Sequence, residues 1–110
     1  MQKCDLLYLN LSFIEQHYSE DISIEDISSS CGLNRSYFSK VFRDTMGESP
    51  QGFLLHYRMA RAAQLLTESR LPIRTISTMV SYPNQLHFSR AFKNVYSISP
   101  RDYRAKHFAL

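Results

Sequence analysis

The chain has 110 residues, which suits one domain or a tightly coupled pair of subdomains. Apolar residues make up 44% of it and aromatic residues 13%, so the composition supports a packed core and excludes a disordered segment. No apolar run approaches the roughly 18–20 residues of a membrane span, no secretory signal opens the sequence, and 2 cysteines are too few for a disulfide scaffold. We therefore expect a cytoplasmic protein with reduced thiols.

Charge is distributed unevenly along the chain, although the net charge is only +3. Residues 1–34 carry one basic and six acidic side chains, whereas residues 35–110 carry twelve basic and four acidic side chains. The acidic opening segment is not expected to face a polyanion. The basic remainder is a candidate surface for one.

The first predicted helix covers residues 4–18, where apolar residues are interspersed with Gln, Asn and acidic residues. Ser23 and Asp26 then fit a capping box, in which the Ser23 hydroxyl accepts an unpaired backbone amide of the first helical turn. The short helix that follows runs to about Cys31, which we place on the buried apolar stripe as a reduced thiol. Gly32 ends this helix because the chain needs a left-handed backbone there.

Residues 35–46 are predicted to form the next helix, which begins after the cap residue Asn34 and ends at Gly47. Its apolar residues lie three and four positions apart, while Ser and basic residues fill the opposite face. The inward residues are Phe38, Val41 and Phe42.

A long helix follows over residues 51–67, with Ser49 as its cap and Pro50 at the first helical position. Apolar residues lie on more than one side of this helix, which is usual for a helix buried between two other parts of a molecule. At the standard helical rise it would span roughly 25 Å.

Leu71 and Pro72 open the second half, where another short helix is predicted. Ser81 stands in this half where Gly32 stands in the first. The inward residues of the short helix are Ile73, Ile76 and Val80.

The helix over residues 84–96 is expected to bury Leu86 partly, and Phe88, Ala91 and Phe92 fully. A second capping box runs from Ser99 to Asp102, and the closing helix extends to about residue 108. No sustained period-two alternation and no hairpin turn signal occurs, so the fold class is all-α with about seven helices.

The two halves are copies of one pattern, because residues 37–50 recur as residues 87–100 at an offset of 50. Phe38, Ser39, Phe42, Ser49 and Pro50 recur as Phe88, Ser89, Phe92, Ser99 and Pro100, and the charges of Lys40 and Arg43 recur in Arg90 and Lys93. Upstream, Ile24, Ile27 and Ser28 recur at an offset of 49 as Ile73, Ile76 and Ser77, so the second turn holds one extra residue.

In each copy a short helix, a tight turn and a second helix with a basic outer face match helix-turn-helix geometry. We expect one such subdomain over residues 1–49, a linker helix over 50–68, and a second subdomain over 69–110. Two units bridged by this linker would place their reading helices about one DNA turn apart, near 34 Å, in successive major grooves.

The sequence resembles the DNA-binding domain of the AraC/XylS family of bacterial transcription regulators over about residues 5–107. The resemblance rests on IEDI followed by CGL, on YFSKVFRDTMGESP leading to FLLHYRMARAAQLL, and on HFSRAFK followed by SISPRDYR. It implies a pair of helix-turn-helix subdomains that bind double-stranded DNA and usually activate transcription. The implied partners are DNA, RNA polymerase, and a sensor and dimerisation domain absent from this chain. The chain is thus either a compact single-domain member or a fragment of a longer regulator.

The same resemblance assigns DNA contacts residue by residue. Helix periodicity supports part of the assignment, because the face opposite the inward residues of the first reading helix carries Ser36, Ser39, Lys40 and Arg43. Lys and Arg suit guanine, Gln suits adenine, and a Leu suits a thymine methyl group. Base reading is assigned to Ser36, Ser39, Lys40, Gln85, Leu86, Ser89 and Arg90; contacts to the backbone or groove edges are assigned to Arg35, Arg43, His87 and Lys93. The alternative is that all of these are ordinary solvent-exposed helix residues without a DNA-binding role.

The second half departs from the family pattern at its turns. Members of the family usually have Gly at the positions of Ser81 and Ser97, and Phe at the position of Tyr82. A Ser held in a left-handed backbone costs about 1 kcal/mol or more relative to Gly. Pro83 adds a restriction on the residue before it. We therefore expect looser docking of the second unit or a rebuilt turn.

An enzyme is the main alternative from another functional class. The four histidines are scattered without metal-ligand spacing, and no Gly-rich phosphate loop is present. We therefore expect no catalysis, no metal and no cofactor. A helical protein-interaction module without DNA binding stays open as the second reading, and salt dependence of duplex binding separates the two.

Overall fold

The computed structural model describes the backbone of residues 3–108 and the side chains of residues 10–108. This described part consists of seven helices without a strand, which confirms the all-α prediction. No helix in it combines the length and the apolar character needed to cross a membrane. The helices are α1 Lys3–His17, α2 Ile24–Ser30, α3 Arg35–Met46, α4 Pro50–Glu68, α5 Ile73–Met79, α6 Gln85–Tyr96 and α7 Pro100–His107.

The chain divides into two compact units, which we call the N-unit (Met1–Leu55) and the C-unit (His56–Leu110). The division falls within α4, so this helix contributes buried residues to both units. The N-unit core contains Ile14, Ile24, Ile27, Phe38, Val41, Phe42 and Leu54, and the C-unit core contains Met59, Ala62, Ala63, Leu66, Ile76, Val80, Phe88 and Phe92. Each unit therefore has an apolar core of its own, anchored by a pair of phenylalanines.

The turn between α2 and α3 is a Schellman motif, as expected after a helix that ends at a glycine. Gly32 has a φ of +70°. The amide of Leu33 donates to the Ser28 carbonyl at 3.1 Å, and the amide of Gly32 donates to the Ser29 carbonyl at 3.0 Å. At the other end of α2, the Ser23 hydroxyl and the Asp26 carboxylate cap each other's backbone amides, which confirms the predicted capping box.

The corresponding turn between α5 and α6 keeps the same Schellman motif and adds one residue after it, so the expectation that the motif would be rebuilt was wrong. Ser81 adopts a φ of +69°. The amide of Tyr82 donates to the Ser77 carbonyl at 2.9 Å, and the amide of Ser81 donates to the Thr78 carbonyl at 3.1 Å. The buried Ser77 hydroxyl also donates to the Tyr82 carbonyl, which ties the turn to α5. Pro83 is accommodated after this motif, before the cap residue of α6.

Two serines of the C-unit occupy left-handed positions where the N-unit has glycines. Ser97 ends α6 with a φ of +70°, as Gly47 ends α3 with a φ of +78°. Both residues donate their amide to the carbonyl four positions earlier, on Lys93 and Arg43 respectively. The C-unit therefore carries a backbone strain that the N-unit avoids.

We expect Ser97→Gly to raise the free energy of unfolding by about 0.5–1 kcal/mol, because the relief of left-handed strain exceeds the added chain entropy of glycine. Thermal and urea unfolding of the two proteins measure the change. Gly47→Ser is the matched reverse variant: a Cβ at Gly47 would meet nothing within 4 Å, so its cost would come from the backbone alone. A destabilised Ser97→Gly protein would contradict this account.

Arg104 joins α7 to the segment that follows α4, a role that the sequence analysis did not assign. Its Nε donates to the Leu66 carbonyl at 3.0 Å, and its Nη2 donates to the carbonyls of Leu71 at 2.6 Å and Ser69 at 3.4 Å. These carbonyls lie in the last turn of α4 and just beyond it, where helical carbonyls lack intrahelical partners. A cation there also interacts favourably with the helix dipole.

Replacing Arg104 by Gln is expected to lower the free energy of unfolding by about 1.5–3 kcal/mol, the usual worth of hydrogen bonds to a charged group. Arg104→Lys should restore little of it, because an ammonium group does not reproduce the planar fork of the guanidinium. Arg101→Gln, at an exposed position of the same helix, serves as the control and should change stability by less than about 0.5 kcal/mol. Equal unfolding midpoints for Arg104→Gln and Arg101→Gln would show that the three carbonyl contacts contribute nothing.

An aromatic cluster closes the C-unit between α6 and α7. Phe92 lies 4.6 Å from Tyr96 and 5.3 Å from Tyr103, measured between ring centroids, and His107 lies 4.5 Å from Tyr103. Burial, and secondarily the neighbouring Tyr103, raises the pKa of Tyr96 above its ordinary value.

The packing predictions for Ala91 and Cys31 were wrong. Ala91 is half-buried rather than fully buried. Cys31 lies at the C-cap of α2 instead of on its buried stripe and is also half-buried; it is a free thiol that donates to Oδ1 of Asn10 at 2.7 Å. Asn10 is only 2% exposed, so this bond satisfies a buried amide oxygen and links α1 to the end of α2. The side chain of Cys4 lies outside the described residues.

Candidate nucleic-acid interface

One side of α3 is packed in the N-unit core, and this orients the polar and basic side chains of the helix toward solvent. Phe38 and Phe42 are each 1% exposed, with ring centroids 5.7 Å apart. Asn34 caps the helix by accepting the Tyr37 amide at 2.9 Å. With this orientation the first turns of α3 present their polar side chains to solvent. Arg35, Ser36, Lys40 and Arg43 are exposed, and Ser39 is half-buried.

The outer face of α6 has the same arrangement in the C-unit. Phe88 and Phe92 are fully buried, with ring centroids 5.9 Å apart. The Asn84 side chain accepts the amides of Leu86 at 2.9 Å and His87 at 3.2 Å. Gln85, Leu86, His87, Arg90 and Lys93 are exposed, and Ser89 is half-buried.

Within each unit the structure therefore places the predicted contact residues together on the outer face of one helix. The match extends to detail, since Ser39 and Ser89 are both half-buried and Lys40 and Arg90 are both exposed. Leu86 departs from its packing prediction: it is 59% exposed rather than partly buried. An apolar side chain left in water at the start of a helix is well placed to contact an apolar group of a partner.

Charge on these faces favours an anionic partner. On α6 the exposed charged residues are Arg90 and Lys93, with no acidic residue on the helix. On α3 the cations Arg35, Lys40 and Arg43 accompany a single acid, Asp44. Arg35 and Arg43 also line a cleft of about 80 Å³ with Ser39 and Ser49, at the edge of the outer face of α3. Phosphate oxygens are the anions that such guanidinium groups bind well.

Two exposed residues near these faces were missed by the sequence analysis. Tyr37 is 51% exposed in the first turn of α3, at the position that His87 occupies in α6. The repeat could have identified Tyr37 as a candidate contact, because it matches His87, which was assigned a contact to DNA. Arg74, in the first turn of α5, is exposed as well. The repeat gives no signal for it, because the corresponding residue of the N-unit is the acidic Glu25.

Comparison with known proteins identifies this arrangement. The profile of a family described as "Helix-turn-helix domain" matches residues 27–106. The chain is 36% identical over 100 residues to the lactose operon transcription activator of Staphylococcus xylosus, covering 91% of this chain and 36% of that protein. It is 34% identical over 96 residues to the raffinose operon transcriptional regulatory protein RafR of Pediococcus pentosaceus, covering 87% and 35%. The chain thus spans about a third of the length of these relatives.

Solved structures show the same fold. The C-terminal domain of AraT, a response regulator from Geobacillus stearothermophilus, has a TM-score of 0.91 and 30% identity, over 96% of this chain and 88% of that one. A transcriptional regulator of Chromobacterium violaceum with an AraC-type DNA-binding domain has a TM-score of 0.88 and 29% identity, over 94% and 93%. The sequence profile, the relatives and these folds agree with the resemblance read from the motifs, and the chain belongs to the AraC/XylS family of transcription regulators as a helix-turn-helix DNA-binding domain.

Proposed function

We propose that this chain binds double-stranded DNA in a sequence-specific manner to regulate transcription, with α3 and α6 reading successive major grooves. One observation carries the proposal: each unit buries a phenylalanine pair on one side of a twelve-residue helix and exposes polar and basic side chains on the other. A helix of this kind fits the major groove, where side chains from its first turns reach the base edges.

The base-reading roles follow from the chemistry of the exposed side chains. Lys40 and Arg90 donate to the O6 and N7 atoms of guanine, Gln85 pairs with adenine, and Leu86 contacts a thymine methyl group. The hydroxyls of Ser36, Ser39 and Ser89 supply short-range donors or acceptors to either base of a pair. Ser39 and Ser89 are half-buried and short, so they reach a base only where the helix backbone lies close to the groove floor.

The positioning roles fall to hydrogen-bonding and basic side chains at the edges of the two faces. Arg35 and Arg43 flank the outer face of α3, and His87 and Lys93 flank that of α6. Contacts from such side chains to phosphate oxygens fix the register of a protein on the duplex without reading its sequence. We assign these four residues to the DNA backbone or the groove edges.

We further propose that the domain serves transcription activation within a longer regulator and performs no catalysis. A relative at 36% identity is named a lactose operon transcription activator, and this chain covers about a third of it. The remaining length of such a protein is room for a sensor and dimerisation domain, and RNA polymerase is the partner that activation requires. Within this chain we assign residues 1–49 and 69–110 to the two helix-turn-helix subdomains and residues 50–68 to the linker.

Salt dependence of duplex binding tests the proposal. Fluorescence anisotropy of a labelled 30-base-pair duplex should show log Kobs falling with log salt with a slope of about −4 or steeper, since each neutralised phosphate contributes about −0.9. The double variant Arg43→Gln, Lys93→Gln should flatten this slope, because both residues are assigned to the DNA backbone, whereas Glu15→Gln should not. An affinity that is weak and insensitive to salt would favour a helical protein-interaction module instead.

A further inference from the structure

An ion pair at the edge of the outer face of α3 sets the N-unit apart from the C-unit. Oε1 of Glu25, in the first turn of α2, lies 3.7 Å from Nη1 of Arg35, the first residue of α3. Both side chains are largely exposed, at 72% for Glu25 and 54% for Arg35, so the pair is accessible to solvent and to a ligand. Arg43, on the same face, makes no ion pair with any described residue. Arg35, which is proposed to contact the DNA backbone, is therefore paired with an acidic residue.

The C-unit reverses the charge at this place. Its helix α5 has the same seven-residue length as α2 and begins at Ile73 where α2 begins at Ile24. Arg74 therefore corresponds to Glu25, and Gln85, the first residue of α6, corresponds to Arg35. A pair of opposite charges in the N-unit is replaced in the C-unit by a cation and a neutral amide. Arg74 is exposed and makes no ion pair in the described part of the chain.

We propose that Glu25 restrains Arg35 and weakens the hold of the N-unit on DNA, whereas Arg74 adds a phosphate contact to the C-unit. The inference rests on the proposed function and deepens it. For Arg35 to reach a phosphate it must leave Glu25, and the carboxylate itself repels the phosphate that approaches. Neither cost applies to Arg74, which has no acidic partner of this kind among the described residues. The C-unit therefore supplies the larger electrostatic share of binding, and the N-unit depends more on its base contacts.

The size of the restraint follows from the geometry of the pair. A solvent-exposed ion pair at 3.7 Å is weak, because water and salt screen it and two long side chains must be ordered. Removing the acid should therefore produce a modest gain in affinity, on the order of two- to fivefold. A larger gain would require a buried pair, which the exposures exclude.

The test uses Glu25→Gln and a 30-base-pair duplex of random sequence, because non-specific binding isolates the electrostatic contribution. We expect affinity at 100 mM salt to rise by about two- to fivefold. The salt slope should steepen by about 0.9, which is the contribution of one additional phosphate contact. Glu15→Gln is the matched control, since it removes from the same unit one exposed acid that makes no ion pair with Arg35. It should change affinity by less than about 1.5-fold, as a remote charge screened by salt does.

A double-mutant cycle shows whether Glu25 acts through Arg35. In the Arg35→Gln background, Glu25→Gln should lose its gain in slope and keep only the smaller part of its gain in affinity, which comes from direct repulsion of phosphate. A gain that persists there undiminished, or one no larger than that of Glu15→Gln, would overturn the proposed restraint. Arg74→Gln should weaken binding by about threefold and flatten the slope by about 0.9; an unchanged slope would overturn the phosphate contact. Failure of the wild-type chain to bind duplex DNA with a salt-dependent affinity would instead overturn the proposed function itself.

Discussion

Truncation of Phe92 to Ala is expected to lower the free energy of unfolding by about 3–5 kcal/mol, the usual cost of removing a buried aromatic ring. Phe92 has no exposed surface and lies within 6 Å of Phe88, Tyr96 and Tyr103, measured between ring centroids. These rings come from α6 and α7, so the neighbouring side chains cannot collapse into the vacated space without moving a helix. The loss should thus approach the upper part of the range.

Urea unfolding followed by circular dichroism measures this loss, and Phe42→Ala tests the same claim in the N-unit. Phe42 is 1% exposed and packs 5.5 Å from Phe53 and 5.7 Å from Phe38. Leu86→Ala is the control, because Leu86 lies on α6 with Phe92 yet is 59% exposed; it should change stability by less than about 0.5 kcal/mol. Phenylalanine variants with unchanged unfolding midpoints would show that these rings do not anchor the reading helices.

Arg90→Ala should weaken binding to the cognate duplex by about 1–3 kcal/mol and relax the preference at one base pair. Arg90 is exposed on the outer face of α6, one turn after the exposed Leu86 and on the side opposite the buried Phe92. A guanidinium there can donate two parallel hydrogen bonds to a guanine. Loss of these bonds removes discrimination at that base pair and leaves the neighbouring base pairs unaffected.

Binding of Arg90→Ala to a panel of duplexes, each with one base pair changed, measures this relaxation. Lys93→Ala is the matched control from the same helix: as a backbone contact it should weaken all duplexes about equally and reduce the salt slope by about 0.9. If Arg90→Ala weakened every duplex by the same factor, its guanidinium would touch phosphate rather than a base.

The sequence predicts the reading helices well because several local signals agree on them. Residues 35–46 were predicted as a helix, and α3 covers Arg35–Met46. The Asn34 cap, the inward Phe pair and the Gly47 stop each act within four residues of the backbone they control. Such signals are readable without tertiary structure. The left-handed serines were also predictable, because Ser81 and Ser97 stand where the family has glycine.

Long-range polar contacts could not be predicted in the same way. Arg104 reaches the carbonyl of Leu66, which lies 38 positions earlier, and Cys31 reaches Asn10, which lies 21 positions earlier. No periodicity relates residues so far apart in a helical protein. The Glu25–Arg35 pair was missed for a related reason, since the sequence shows two opposite charges but not the turn that brings them together.

The same distinction between local signals and long-range placement applies to the candidate site. Its members were assigned from the family resemblance, with periodicity supporting those on α3, and within each unit they lie on one helix as exposed or half-buried residues. Which of them touches a base depends on how the two units sit on a duplex. That placement, with α3 and α6 in successive major grooves, stays a prediction from the repeat and from the length of α4.

Selection of bound duplexes from a random pool tests the central claim most directly. The account predicts two enriched segments whose centres lie about 10–10.5 base pairs apart, one for each reading helix. Repeating the selection with Arg90→Ala should reduce the base preference at one position of one segment and leave the other segment unchanged. A pool without enrichment, or a single segment that neither Lys40 nor Arg90 variants alter, would contradict the account.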